Sequence, residues 1–396
     1  MHVIMFADQH LESLGGAQVS MRLQRRYLER AGHRVTVVAP RRFRPVSAAA
    51  AGVIPLPAVP ITADREYSLS WPGRRADRVV DEAVRRMPAP DVVHVQADFW
   101  GAYLGHRFAA RHGLPAVHTM HNRVDVGLAA VVPFPLAAMR VLDAWAAHAV
   151  GGSRGEDGWS YLQRFARRSL AVTAPSAHFA RRLEEHGVAP EGRGVDVVWN
   201  GIDDDALADA LRARRARARS DRPRLLWIGR MSPEKRLLPF LTALAEADVD
   251  AEVEVIGAGG QFPAARRMVA HRRPRATVRF AGALPYPRTL ERIAAADAVV
   301  QTSVGFETQG MTVFEAAALG VPALVADPDI ANELGAGTWR PADDSAAAMA
   351  AALRTAVGDI RAGKVPRPDP SVAERFRQSS RTEAMIDVYR SVLDAS

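Results

Sequence analysis

Three short stretches of this 396-residue chain combine residue types that can act on a phosphorylated, hydroxylated ligand. The first is Gly229-Arg230-Met231-Ser232-Pro233-Glu234-Lys235, at the end of an apolar run. Two cations on one strand-end loop can both reach a single diphosphate. Lys235 is one of only two lysines, the other being Lys364, so a compact ammonium stands where arginine supplies every other fixed cation. The second stretch runs from Glu307 through Gly310, Met311 and Thr312 to Glu315, a loop that enters a helix with Gly320 and Pro322 beyond its far end. Glu307 then lies on the loop and Glu315 two turns into the helix, with main-chain N–H groups between them. Carboxylates suit sugar and ribose hydroxyls, and helix-start amides suit a phosphate. The third is Leu14-Gly15-Gly16, which follows a strand and opens a helix. Paired glycines admit a ligand close to the backbone, and a helix start attracts an anion, although a tight turn alone has the same signature. Neither Gly-x-Gly-x-x-Gly spacing nor a Gly-Lys-Ser/Thr element is present, which argues against dinucleotide redox and P-loop chemistry.

The elements that must carry these loops read as α/β. Runs at 2–7, 34–40, 91–96, 114–120 and 170–176 are short, apolar on both faces and separated by helix-sized segments. That pattern predicts parallel βαβ units with helices on both sides of a sheet. A second series follows at 224–230, 252–258, 277–284, 298–303 and 322–327. Two doubly wound domains in tandem are expected: residues 1–205, a polar arginine-rich linker at 206–222, and residues 223–371. A final helix at 372–396 is placed to pack back on the first domain.

Composition narrows the partners. Hydrophobic residues make up 48% and charged residues 24%, ordinary for a folded protein, and the formal charge of +8 favours anionic partners. Cysteine is absent, which removes disulfides, thiolate metal sites and Cys nucleophiles and suits a reducing, cytoplasmic setting. No secretory leader is read at MHVIMFADQH, and the apolar stretch 128–150 is broken by Pro133, Pro135, Arg140 and Asp143, too often to span a bilayer. Aromatics are not interleaved with the arginines, so nucleic acid is not the expected partner. Three Asp-x-Asp matches, at 203–205, 248–250 and 327–329, are too many in one chain to mark a metal motif, and no metal is expected.

Together these motifs resemble the retaining GT-B glycosyltransferases of family 4, from the Gly15-Gly16 loop to Pro322. Arg230 and Lys235 match the family's Gly-Arg-x-x-x-x-Lys element, Glu307 and Glu315 its Glu-x7-Glu element, and Asn200-Gly201-Ile202-Asp203 its Asn-Gly-hydrophobic-Asp element. The resemblance implies two Rossmann-like domains facing a central cleft, and a co-substrate that is a UDP- or GDP-sugar. It also implies roles: Arg230 and Lys235 on the departing diphosphate, Glu307 on the transferred sugar, Glu315 on the ribose, and the amides of Gly310, Met311 and Thr312 on phosphate. Gly16 and Gly257 would approach phosphates or acceptor and nucleotide, and His121 would lie beside the sugar. His118 fits a satisfied core histidine as well as an acceptor contact. No covalent nucleophile is identifiable, and the resemblance implies front-face displacement instead.

Within the family, Glu307-Thr308-Gln309-Gly310 and His118-Thr119-Met120-His121 look most like the lipid-directed diacylglycerol glycosyltransferases, with Asn122 where those have Thr. A glycerolipid or phosphatidylinositol-type acceptor at the inner face of the plasma membrane is therefore expected. Arg41, Arg42 and Arg44, with the apolar stretch 128–139, are the candidates for reversible contact with an anionic bilayer. A small soluble acceptor and a non-catalytic basic binding module are the competing readings.

Overall fold

The computed structural model describes residues 1–13, 15–46, 52–62, 64–126, 134–151, 155, 157–215 and 222–396. They form two compact units, Met1–Gly201 with Gln378–Ser396, and Ile202–Arg377.

Unit 1 is built on β1 (His2–Ala7), α1 (Gly16–Arg30), β2 (Arg34–Pro40), β3 (Val53–Leu56), a small hairpin of β4 (Val59–Pro60) and β5 (Ser68–Leu69), α2 (Arg74–Val84), β6 (Val92–Gln96), α3 (Trp100–His112), β7 (Ala116–Thr119), α4 (Pro135–Val150), α5 (Gly158–Ala166), β8 (Ala171–Ala174), α6 (Ala177–Glu185) and β9 (Asp196–Val197). Seven strands pair in the order β3-β2-β1-β6-β7-β8-β9, all parallel. All six residues of β1 are buried, because helices cover both faces of a central parallel strand. The register sets Val3 between Val35 and Val92 and carries the C-terminal ends of β1 and β6 side by side.

Unit 2 contains α7 (Asp204–Arg215), β10 (Arg224–Ile228), a 3₁₀ turn at Pro233–Lys235, α8 (Leu237–Ala247), β11 (Glu252–Ile256), α9 (Phe262–Arg272), β12 (Thr277–Gly282), α10 (Tyr286–Ala295), β13 (Ala298–Gln301), α11 (Met311–Ala318), β14 (Ala323–Val325), α12 (Pro328–Leu334), β15 (Thr338–Trp339), α13 (Ala346–Ala362) and α14 (Ser371–Arg375). Its parallel sheet runs β12-β11-β10-β13-β14-β15. The strand order reverses between β1 and β6 in unit 1 and between β10 and β13 in unit 2, the points where open α/β sheets leave a crevice for a ligand.

Helix α15 (Gln378–Asp394) belongs to unit 1, where Met385, Ile386, Tyr389 and Val392 join Val3, Met5 and Val37 in one apolar cluster. The expected single helix at 372–396 is two helices, α14 in unit 2 and α15 in unit 1, with Phe376 and Arg377 between them. The expected linker is corrected as well. Residues 204–215 are a helix of unit 2 that packs on α10, because Leu207 and Ala210 form a buried i, i+3 stripe while Asp205, Asp209 and Arg212 are exposed. Residues 216–221 of that segment lie outside the described residues, as does the 128–133 part of the apolar stretch 128–139.

If α7 is a packed helix, Leu207→Ala creates a cavity and lowers the unfolding free energy of unit 2 by about 2–5 kcal/mol. A side chain on a solvated linker would change it by less than about 0.5 kcal/mol, and chemical denaturation of the full chain distinguishes the two.

Candidate active site

In unit 2 the loops that follow β10 and β13 meet at the strand-order reversal. The Lys235 ammonium is in contact with Glu307 Oε1, and Ser303 Oγ donates to the same carboxylate oxygen at 2.6 Å. Thr302 Oγ1 donates to the Lys235 carbonyl at 2.6 Å and accepts from Trp227 Nε1 at 2.9 Å, which ties both loops to the core of the sheet. Burial pushes the Glu307 carboxyl up, but the Lys235 ammonium, the Ser303 hydroxyl and Arg230 outweigh it and hold the group below the usual carboxylate range. Arg230 stays half exposed at 54%, paired with the buried Glu234 at 3.1 Å, so its guanidinium is within reach of a ligand.

Glu315 lies just over one turn into α11, since the helix begins at Met311, rather than two turns in as the spacing suggested. Burial raises its pKa to about 7, and the nearby Tyr286 hydroxyl offsets part of the rise without a hydrogen bond of regular geometry. Helix α11 starts from Gly310 at φ 77, and a Cβ there would come within 2.8 Å of Ile330 Cδ1. Among the described residues no side chain caps α11, which leaves the amides of Met311 and Thr312 at an uncapped, positive helix end.

Gly257 has a reason of its own for being glycine. At φ 134, a Cβ would sit 1.9 Å from the Gly229 carbonyl oxygen, so its bare backbone closes the β11 loop onto the β10 loop. Met231 N–H to Ala258 O at 2.8 Å and Gln261 N–H to Met231 O at 2.9 Å continue that seam. The Asp-x-Asp matches serve structure: Asp203 accepts from Asp205 N–H, Asp250 pairs with Arg222 and Arg361, and Asp327 caps α12 while holding Gly305 N–H at 2.7 Å. Among the described residues, no group of three or more His, Asp or Glu could hold a metal ion. A groove of about 450 Å³ beside Arg224, Glu252 and Thr277 opens at the N-terminal ends of the strands, away from these loops.

Unit 1 assembles carboxylates and histidines where unit 2 has cations. Asp8, just past β1, accepts the main-chain N–H groups of Asp98, Phe99 and Gly101, and burial together with Asp98 raises its pKa to about 7 against those three donors. His121 follows β7, and burial lowers its pKa despite the Asp98 charge, so the ring is neutral near pH 7. His121 Nε2 lies 3.4 Å from Gln96 Oε1. His118 is fully buried in β7, 3.0 Å from His106 and 3.5 Å from Asp98. An acceptor contact by His118 is thereby corrected: its ring packs behind the His121 turn, within the core. Gly16 is the first residue of α1, and Gly15 precedes it with no side-chain cap among the described residues.

The arginine group splits. Arg42 is only 13% exposed and pairs with Glu12 at 3.1 Å and Glu66 at 3.5 Å. Arg44 pairs with Glu66 at 2.8 Å, and Arg41 lies over the Phe43 ring. Arg42 is therefore not a free cation for a lipid surface, because two carboxylates, one of them almost fully buried, already neutralise it. Ser303, Thr302, Tyr286, Asp8 and Asp98 were not read from the sequence, since each is a common residue whose meaning comes only from its neighbours across the sheet.

Known proteins match this arrangement across the whole chain. The structure of Anabaena HepE in complex with UDP and glucose superposes with a TM-score of 0.69 at 17% identity, covering 99% of this chain and 100% of that one. Two parallel-sheet α/β units with this likeness have the GT-B fold. Residues 14–206 match Glycosyltransferase Family 4 and residues 210–359 match Glycosyl transferases group 1; the chain belongs to glycosyltransferase family 4. Among its relatives are a GDP-mannose-dependent alpha-mannosyltransferase of Mycolicibacterium smegmatis, 28% identical over 83% of this chain and 80% of that protein, and an alpha-monoglucosyldiacylglycerol synthase of Streptococcus pneumoniae, 22% identical over 84% and 73%.

The raised pKa of Glu315 carries a sign. Between the unfolded value of 4.5 and about 7 the native state holds a proton that the unfolded state has released, so this group lowers stability as pH rises. Glu315→Gln removes that dependence, and its melting temperature relative to the parent protein should climb between pH 5 and pH 8. A difference that stays constant across that window would contradict a protonated Glu315.

Proposed function

We propose that this enzyme transfers a hexose, glucose or mannose, from a UDP- or GDP-sugar to the hydroxyl of a glycerolipid or phosphatidylinositol-type lipid, with retention of configuration and without a metal. The observation that carries the reading is the Lys235–Glu307 pair at the unit 2 reversal, on the sequence side of the uncapped α11 helix. When the bond from the sugar C1 to the diphosphate oxygen breaks, charge develops on that oxygen and on an oxocarbenium-like C1. Arg230, Lys235 and the amides of Met311 and Thr312 are the donors for the departing diphosphate. Glu307, kept ionised, accepts hydroxyls of the transferred sugar, and Glu315 accepts from the ribose. The acceptor oxygen bonds to C1 on the face the diphosphate leaves, and its proton passes to the departing phosphate oxygen. Neutral His121 lies beside the sugar and can accept a hydrogen bond from a hydroxyl.

A lipid acceptor is supported by the name of the diacylglycerol-directed relative and by one surface of unit 1. Phe134, just before α4, and Leu136 and Val141 on it are exposed, and Trp145, one turn beyond Val141 on the same helix, lies against the exposed Trp71 at 4.7 Å between ring centroids. Arg74, Arg75 and Arg78, which follow Trp71 in the sequence, and Arg140, next to Val141, are exposed. Exposed apolar side chains together with exposed cations suit reversible attachment to an anionic bilayer, at roughly 1 kcal/mol per arginine near the surface. Among the described residues no helix is long and apolar enough to cross a membrane, so contact from one side is the proposed mode, at the inner face of the plasma membrane.

Nucleotide release against a panel of UDP- and GDP-sugars, with and without diacylglycerol or phosphatidylinositol vesicles and in EDTA, tests this directly. Lipid-dependent release that survives EDTA is the expected result, whereas release without lipid points to a small soluble acceptor. Lys235→Ala should lower kcat/KM by about a hundredfold or more, as the loss of one transition-state donor does. Near-full activity in that variant would remove Lys235 from the diphosphate site.

A further inference from the structure

Asp98 stands just beyond β6, is fully buried, and uses its two carboxylate oxygens for different purposes. Oδ2 accepts the main-chain N–H of His121 at 3.1 Å, the main-chain N–H of Asn122 at 2.9 Å and the Asn122 side-chain amide at 2.6 Å. Three donors on one oxygen suit an anionic carboxylate, whose oxygen offers more acceptor capacity than a neutral amide carbonyl. Oδ1 lies 3.5 Å from His118 Nε2, and among the described residues neither atom has a hydrogen-bond partner. Two buried polar atoms left facing each other at that distance are placed to pair, since leaving both unpaired is costly.

The chain of contacts continues inward. His118 Nδ1 lies 3.0 Å from His106 Nε2, and His106 Nδ1 has no partner among the described residues. Burial lowers the pKa of His106 well below that of a free imidazole, so its ring carries one proton. That proton belongs on Nε2, the only ring nitrogen with a partner, and is donated to His118 Nδ1. His118 must then carry its own proton on Nε2, directed at Asp98. The sequence of donors from His106 through His118 to Asp98 thus has one direction, and it ends on the turn that presents His121.

We infer that Asp98 is the positioning residue of the His121 turn, oriented from behind by His118 and His106, and that Asn122 completes its hold through the side-chain amide. This rests on the reading of His121 as the residue beside the transferred sugar. It also gives a physical role to Asn122, where the lipid-directed enzymes have threonine: the longer amide reaches the same carboxylate oxygen that the main chain uses. His118 serves the reaction from within the core, without touching the substrate.

Asp98→Asn tests it with almost no change of shape. The variant faces three donors with a neutral oxygen and turns an amide toward the His118 Nε2–H. kcat should fall about tenfold to a hundredfold, the loss expected when a substrate-side group is displaced, while KM for the sugar nucleotide stays within about twofold. Full kcat in a folded Asp98→Asn enzyme overturns the inference, and so does a fall in kcat that accompanies a lowered melting temperature and is recovered by lowering the assay temperature. His121→Ala separates the two layers: if it is impaired while Asp98→Asn is fully active, only the positioning role fails, and if it is fully active the sugar-side reading of His121 fails and takes this inference with it. One measurement needs no variant. In ¹⁵N-histidine-labelled parent protein, His118 should show the Nε2–H tautomer, and a proton on Nδ1 instead overturns the relay.

Discussion

A partly buried ammonium facing a carboxylate organises unit 2. Drawing two charges away from water costs free energy, and attraction repays that only where other hydrogen bonds complete each partner's surroundings. Ser303 donates to Glu307, and Thr302 holds the carbonyl of Lys235 while it accepts from Trp227 in the core. The β10 and β13 loops are thus locked to each other by the same contacts that keep Glu307 ionised. Under the proposed function, charges held in this way need little reorganisation when a diphosphate competes for the ammonium, as a fixed site that stabilises charge appearing only during reaction requires.

Both units obey one topological rule and use it for opposite chemistry. In a parallel sheet the loops beyond two neighbouring strands diverge where the strand order reverses, and side chains from distant sequence positions converge there. Unit 2 fills its reversal with Lys235 and Glu307; unit 1 fills the corresponding place with Asp8 and Asp98 and sets the His121 turn beside them. Arg230 and Lys235 supply positive charge on one unit, while neutral imidazole and carboxylate groups supply acceptors on the other. The division follows from which residue types stand at the strand ends.

Strands buried on both faces were legible in the sequence because their apolar runs are continuous; β1 and β2 have the bounds that the pattern predicts. Short strands such as β3, β9 and β15 were not, since two to four residues give no period to read. Helix α7 was hidden because its arginines dominate the local composition, while only Leu207 and Ala210 mark the packed stripe. At the site, residue types were readable and partners were not. Lys235 and Glu307 stand 72 positions apart, and only the strand order brings them into contact. Arg42 looked like a free surface cation because Glu66, 24 positions on by the numbering, gave no sign that it would fold over it. Gly257 was expected to face a nucleotide, and the carbonyl of Gly229 explains its bare Cα without one.

The route of the backbone has a consequence for how the molecule is made. Unit 2 is one uninterrupted segment, residues 202–377, set into unit 1 between Gly201 and Gln378. Emerging from the ribosome, it has every strand of its sheet in hand before α15 exists, and can settle while still tethered. Unit 1 meanwhile waits without the α15 side chains that complete the cluster of Met5 and Val37, and His94 lacks the Tyr389 hydroxyl that later lies 2.6 Å from it. A nascent chain of this design therefore holds a greasy, unfinished sheet open for as long as the inserted segment takes to be translated, and a holdase chaperone has its longest window there.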